Sequence, residues 1–187
     1  VAGEDVAVIG AANSAGQAAI DLAQRARTVT VLCRGDGLER SMSHYLVERI
    51  HGLGNVTVRT GAVVTEARGE GRLEELVLAV DGGEEHLATG SAFVFIGARP
   101  QTEWLDGTVA RDAAGFIVAG AGLQRVEGRH GWRLDRDPLP LETSLPGVFV
   151  AGDVRDQSIK RVASAVGDGA MAVQLVHEYL GGLAVAP

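Results

Sequence analysis

With 187 residues, the chain is long enough to bury one sizeable core or to form two small domains. Its net charge of -7 argues against a nucleic-acid partner, because no basic excess is available to neutralise phosphates. No apolar run approaches the about 18 residues of a membrane span, and the first residues do not resemble a signal peptide. The single cysteine, Cys33, excludes an internal disulfide framework and favours a reducing, cytoplasmic location.

The first third of the chain predicts strands alternating with helices. A continuous apolar run at residues 6–9 is typical of a buried parallel strand, and we predict further parallel strands at residues 28–32 and 56–59. Apolar residues at helical spacing predict helices over residues 15–26 and 38–53. This order indicates an α/β fold with a parallel sheet.

The pattern then changes to one of antiparallel strands. Residues 62–68, 73–80 and 84–87 alternate apolar and polar side chains and are separated by glycine-rich turn sequences, which predicts a β-meander. A further buried strand at residues 92–96 ends in Gly97. We place a domain boundary there, with the domains at residues 1–98 and 99–187.

The second domain has weaker signals. A short strand pair is predicted around residues 116–118, a buried strand at 148–151 and a final helix over about 161–180.

The turn after the first strand has the residues of a dinucleotide-binding loop. It follows a strand and opens a helix, and Gly10 allows the tight turn between them. The small side chains of Ala12 and Ala15 let a pyrophosphate approach the helix N-terminus, although Ala12 stands where glycine is usual. Asn13 and Ser14 complete the loop. A purely structural strand–turn–helix is the alternative.

The end of the second strand bears on which nicotinamide nucleotide is preferred. NAD-binding folds usually place a carboxylate there to accept the ribose hydroxyls. This chain has Cys33 and Arg34 instead, and an arginine can pair with a 2′-phosphate. The sequence therefore favours NADP(H), with two alternatives: that Arg34 is an ordinary exposed loop residue, or that Asp36 contacts a ribose.

A more specific string lies near the other end of the chain. Gly152 and Asp153 follow an apolar run, where ligands bind in α/β folds. This segment resembles the Gly-Asp pair that binds the FAD ribitol in flavoproteins with two dinucleotide-binding domains. Residues 94–102, with Gly97, resemble the segment that links the two domains. The chain as a whole is most similar to thioredoxin reductases, and residues 38–50 and 138–155 resemble a subgroup fused to a cyclic-nucleotide-binding domain.

The resemblance implies a Rossmann-like NADP(H)-binding domain at residues 1–98 and the C-terminal part of a Rossmann-like FAD-binding domain at 99–187. It also implies that hydride passes from NADPH to FAD and on to a disulfide of a thioredoxin-like partner, in a homodimer. Arg34 matches the first of the family's adenosine-phosphate arginines, whereas Gly35 replaces the second and Glu39 stands at the third.

A second set of residues borders the flavin by the same resemblance. Lys160, Arg161 and Val162 stand where the family has Arg-Gln-Ala. A helix starting there would direct its positive end toward the negatively charged pyrimidine side of a reduced flavin. A solvated helix start is the alternative.

Two features of the family do not occur in these 187 residues. We find no first glycine fingerprint for FAD and no Cys-x-x-Cys pair. We therefore expect this stretch by itself to be inactive and to bind FAD weakly. A reductase of another acceptor, such as a ferredoxin or quinone, and a non-catalytic NADP(H)-sensing module remain alternatives.

Overall fold

All seven strands of the described residues, 1–126 and 131–185, lie in the first half of the chain in this computed structural model. The chain divides into two compact units, Val1–Gly97 and Ala98–Pro187, which we call the first and second units.

Four parallel strands form the central sheet of the first unit in the order β3-β2-β1-β7. Their bounds are β1 Asp5–Ile9, β2 Thr28–Leu32, β3 Val56–Arg59 and β7 Ser91–Val94. In the register, Val8 of β1 lies opposite Val31 of β2 and Phe93 of β7. The valines and the leucine of β1 and β2 are buried because both faces of the sheet are covered, as the sequence predicted.

Helices α1 (Asn13–Leu22) and α2 (His44–His51) pack on one face of this sheet. Both are shorter than predicted. Helix α1 ends early because the backbone N–H of Arg27 bonds to the carbonyl of Glu4, which draws the chain into β2. Helix α2 begins late because Ser41 and Ser43, which precede it, are hydrogen-bonded to Ala11 and Asn13 at the turn that follows β1.

The other face of the sheet carries the predicted β-meander, which is confirmed. Strands β4 (Val63–Arg68), β5 (Glu75–Val80) and β6 (Gly83–Ala88) form an antiparallel sheet in that order. Leu76 and Leu78 of β5 are buried against Ala7 and Leu32 of the parallel sheet. The predicted strand at residues 92–96 extends too far: β7 ends at Val94, and Ile96 is 75% exposed.

In the second unit, the strands predicted around residues 116–118 and at 148–151 are wrong, because these segments form only isolated bridges. Ile117 makes only isolated bridges, to Arg111 and Arg155, and Phe149 makes one to Glu142. The apolar run at residues 148–151 buries Val150 but leaves Val148 exposed, and its backbone pairs with residues 141–143 only through an isolated bridge. The final helix, α3, is present as Val162–Val185.

A buried ion pair organises the irregular part of the second unit. The Glu142 side chain is fully buried and accepts two hydrogen bonds of 2.7 Å from the guanidinium of Arg136. Its oxygens also accept the backbone N–H groups of Leu139 and Gly147, each at 2.9 Å. These bonds outweigh the effect of burial, which alone would raise the pKa, so the pKa of Glu142 lies below its usual value. The Arg136 guanidinium also lies 5.0 Å from the ring centre of Trp132.

Tyr179 of helix α3 packs against the residues around the Arg136–Glu142 ion pair. The Tyr179 ring lies 5.6 Å from the Arg136 guanidinium and packs edge-to-face on Phe149. Most other apolar side chains of α3 are exposed, among them Val162, Val166 and Val173. No helix in the part of the chain that the structure describes is long and apolar enough to cross a membrane.

Candidate functional site

The first candidate site lies where the parallel strands end. Because the four strands are parallel, their carboxyl ends share one edge of the sheet. Gly10 follows β1 and donates its N–H to the carbonyl of Leu32, and Cys33 follows β2 and donates its N–H to the carbonyl of Arg59. The fold therefore brings together the glycine turn (residues 10–12), the start of α1 and the loop after β2.

Gly10 is required by the backbone at this edge. Its φ is +139°, a conformation that favours glycine. A Cβ there would overlap the carbonyl oxygen of Phe95 and lie 2.9 Å from its carbonyl carbon. Phe95 is itself fixed, because its N–H bonds to the carbonyl of Ile9 at 2.7 Å.

The start of helix α1 is open to solvent. Ala12, Asn13 and Ser14 are exposed, whereas Ala15 is fully buried. The first intrahelical bond runs from the N–H of Gly16 to Ala12, so the amides of the first turn have no partner in the helix. Together with the helix dipole, they form an anion-binding end.

Close packing of α1 depends on Gly16 as well as on Ala15. A Cβ at Gly16 would lie 2.7 Å from the sulfur of Met42, which is buried in the segment before α2. The sequence analysis considered only the small side chains of Ala12 and Ala15 and did not identify Gly16.

Arg34 is exposed on the loop after β2 and makes no hydrogen bond or ion pair with the described residues. Arg40 is also exposed and unpaired among them, as is Asp36. Cys33, by contrast, is buried, and its thiol donates to the carbonyl of Gly37 at 3.3 Å. The loop thus presents two exposed cations and the carboxylate of Asp36 at the edge of the sheet where α1 begins.

Gly97 ends the first unit and is exposed, with a φ of +86°. No described atom lies within 4 Å of the position that a Cβ would take there. Its backbone conformation therefore sets the direction in which the chain leaves the first unit.

The second candidate site is the turn formed by Gly152 and Asp153 in the second unit. Gly152 is buried, has a φ of +81° and donates its N–H to the carboxylate of Asp168 on α3 at 3.1 Å. The Asp153 carboxylate is exposed and has no partner among the described residues. It is therefore available to accept hydrogen bonds from a ligand.

Asp168 is a positioning residue that the sequence analysis missed. Its carboxylate accepts hydrogen bonds from the Arg155 guanidinium at 3.0 Å and 3.3 Å, in addition to the Gly152 amide. The hydrogen bond from Arg155 holds the pKa of Asp168 below its usual value. The sequence signal was a carboxylate between two glycines in the mostly apolar first half of the helix.

The three residues predicted to border a flavin differ in their surroundings. The Lys160 ammonium donates to the hydroxyl of Ser158 at 2.6 Å and to the carbonyl of Arg155, and it lies 4.0 Å from the ring centre of Phe116. The Arg161 side chain is exposed and unpaired among the described residues, and Val162 is 83% exposed at the start of α3. Among the described residues, Arg161 therefore has fewer contacts than Lys160 and is more available to a ligand.

Comparison with known proteins gives one family. The model of the pyridine nucleotide-disulphide oxidoreductase family matches residues 2–169. NADH dehydrogenase of Bacillus subtilis (strain 168) is 37% identical over 181 residues, which cover 95% of this chain. An alkyl hydroperoxide reductase component of Staphylococcus aureus (strain NCTC 8325 / PS 47) is 35% identical over 179 residues. The chain spans 31% of the length of each of these relatives.

Solved structures give the same result. Thioredoxin reductase of T. acidophilum matches with a TM-score of 0.69 at 29% identity, and that of Lactococcus lactis with a TM-score of 0.71 at 25% identity. Each match covers 97% of this chain and 54% of the solved chain. The predicted α/β fold class and the resemblance to thioredoxin reductases are confirmed.

Proposed function

The chain belongs to the pyridine nucleotide-disulphide oxidoreductase family, and from that membership we propose that it forms part of an NADPH-dependent flavoprotein reductase. In this proposal, residues 1–98 bind NADP(H) and residues 99–187 contribute to the FAD site. The observation that carries it is the open start of α1 at the same sheet edge as the loop of Arg34, which has no partner among the described residues.

The first unit binds the nucleotide through its backbone and one loop. The exposed amides at Asn13 and Ser14 donate to the pyrophosphate, and the small Ala12 side chain lets it approach. Arg34 pairs with the 2′-phosphate of NADPH, which has no counterpart in NADH.

The second unit fits a ribityl-bearing flavin. Asp153 is an exposed, unpartnered carboxylate among the described residues, suited to accept hydrogen bonds from ribityl hydroxyls. Asp168 fixes the turn that presents it. Arg161, at the start of α3, adds positive charge to the positive end of that helix. When bound, FAD supplies a centre that accepts hydride from the nicotinamide and passes electrons onward.

The electron acceptor in this proposal is a disulfide in a thioredoxin-like protein. The thioredoxin reductases among the solved structures support it. The relatives named as an NADH dehydrogenase and as part of an alkyl hydroperoxide reductase favour a second candidate, a reductase of a different acceptor with the same nucleotide and flavin sites.

An anaerobic titration of the full-length gene product with NADPH tests this function. Flavin bleaching with two new thiols is the result expected of a disulfide reductase. Bleaching without thiols would favour the second candidate. A protein that binds NADPH but whose flavin is not reduced would contradict both reductase candidates and would favour a nucleotide sensor.

Arg34 gives a test of nucleotide preference. We expect Arg34→Gln to weaken NADPH binding about 10- to 100-fold, because a charge-assisted contact to the 2′-phosphate is lost, and to leave NADH binding within about twofold. Dissociation constants for both nucleotides, measured by calorimetry, check this. The matched control is Arg49→Gln, which removes the same charge from an exposed position on α2.

Equal losses for NADPH and NADH would contradict the assigned role of Arg34. If Asp36→Asn weakened NADH binding while Arg34→Gln had no effect, the loop would instead recognise a ribose through its carboxylate.

A further inference from the structure

A short segment before α2 is bonded to the glycine turn across about 30 positions of sequence. We call residues 41–43 the strap. The Ser41 hydroxyl donates to the carbonyl of Ala11 at 2.8 Å, and the backbone N–H of Ser43 donates to the side-chain oxygen of Asn13 at 2.7 Å. Between them, Met42 is buried against Gly16. These contacts therefore fix the position of the strap relative to the glycine turn.

The bond from Ser41 fixes the orientation of one peptide plane. The peptide that joins Ala11 to Ala12 is planar and trans, so its carbonyl and its N–H point in opposite directions. With the carbonyl held toward Ser41, the N–H of Ala12 is turned away from the strap. Among the described residues this N–H has no hydrogen-bond partner, and Ala12 is exposed.

A free, fixed donor beside the helix N-terminus suits an anion. The Ala12 N–H precedes the amides of the first turn of α1, which have no partner in the helix, so all of these donors belong to one short stretch of backbone. If the Ala11–Ala12 peptide were free to rotate, this donor would have to be ordered when the ligand binds, at a cost in affinity.

We propose that Ser41 is a positioning residue for the dinucleotide, and that it holds the Ala12 N–H in the direction that donates to the pyrophosphate. This inference rests on the proposed function, because it takes the glycine turn as the nucleotide site. Ser41 acts through the peptide that it fixes and does not itself contact the nucleotide.

The chain offers a closely matched control. The Ser43 hydroxyl makes no hydrogen bond with the described residues, and only its backbone joins the strap to Asn13. Ser43→Ala therefore removes a hydroxyl two positions away without changing either bond. Ser41→Thr keeps a hydroxyl at the position under test.

The experiment measures dissociation constants on the full-length gene product with three ligands. NADPH and ADP-ribose carry the pyrophosphate, and adenosine 2′-monophosphate lacks it. We expect Ser41→Ala to weaken the first two about five- to tenfold and the third less than about twofold. Ser43→Ala and Ser41→Thr should both bind as the wild type does. Circular dichroism confirms that each variant is folded.

Three results would overturn the inference. Unchanged binding of NADPH and ADP-ribose by Ser41→Ala would show that the bond does not position the donor. An equal loss for all three ligands, or an equal loss in Ser43→Ala, would show that the strap only maintains the local fold. A wild-type protein that binds none of the three ligands would overturn the proposed function as well, which separates the two failures.

Discussion

Replacing Arg136 with methionine is expected to lower the free energy of unfolding of the second unit by about 3 kcal/mol at pH 7. The Glu142 carboxylate would remain fully buried, with only the amides of Leu139 and Gly147 to stabilise its charge. Arg136 is itself 40% exposed, so water relieves part of the loss, and we place the effect at the low end for a broken buried pair.

The pH dependence follows from the direction of the pKa. In the wild type the folded-state pKa of Glu142 lies below its unfolded value, so its contribution is present above the unfolded pKa and is lost as the pH falls. Without Arg136, burial raises the pKa of Glu142, and the carboxyl takes up a proton in mild acid. The difference between variant and wild type should therefore shrink between pH 7 and pH 5.

Tryptophan fluorescence during urea unfolding measures this effect in the second unit. Both tryptophans, Trp104 and Trp132, belong to that unit, and Trp132 contacts Arg136 directly. Arg125→Met is the control, because Arg125 is 63% exposed and its pair with Asp156 is long, at 3.5 Å, so that its loss should cost less than about 1 kcal/mol. Similar losses in the two variants, or a difference that grows in acid, would show that Glu142 does not depend on its partner.

Gly10→Ala is expected to destabilise the first unit by about 3 kcal/mol or more. An alanine at φ +139° is strained, and its Cβ would overlap the carbonyl oxygen of Phe95. Phe95 cannot easily move, because its N–H is hydrogen-bonded to the end of β1. This overlap can be removed only if β1 and β7 separate or the turn moves. A displaced turn would also weaken nucleotide binding.

The matched variant is Gly61→Ala. Gly61 has a φ of +61°, but no described atom lies within 4 Å of the position of its Cβ. The Gly61→Ala substitution should therefore lower the free energy of unfolding by only about 1 kcal/mol, the strain of an alanine in the left-handed region. Hydrogen exchange of peptides from β1 and α1 reports on the stability of this unit. If the two variants were equally stable, the close approach of Phe95 would not be the reason for glycine at position 10.

Much of the first unit could be predicted from the sequence because its signals are local. The apolar run around Val8 can be satisfied only by a strand that is covered on both faces, and glycine after such a strand predicts a turn. The apolar residues of β5, set between glycine-rich turns, likewise predict a strand of the meander, and Leu76, Val77 and Leu78 are all buried.

The remaining features depend on contacts between distant or irregular segments. Ser41 lies 30 positions from Ala11, and no periodic pattern links the two. Glu142 is a charged residue in a loop-like sequence, which usually indicates an exposed side chain, yet it is fully buried because Arg136 and two amides surround it. The start of α2 was misplaced for the same reason, because helical spacing continues through residues that the glycine turn holds out of the helix.

The division of the chain after Gly97 has a consequence for how such proteins diversify. In the proposed assignment, the side chain that chooses between NADPH and NADH belongs to one unit, and the carboxylate that faces the flavin belongs to the other. A change of electron donor then needs substitutions only in the few residues around Arg34 and can leave the turn at Asp153 untouched. Donor preference and flavin environment can therefore be selected, or engineered, one at a time.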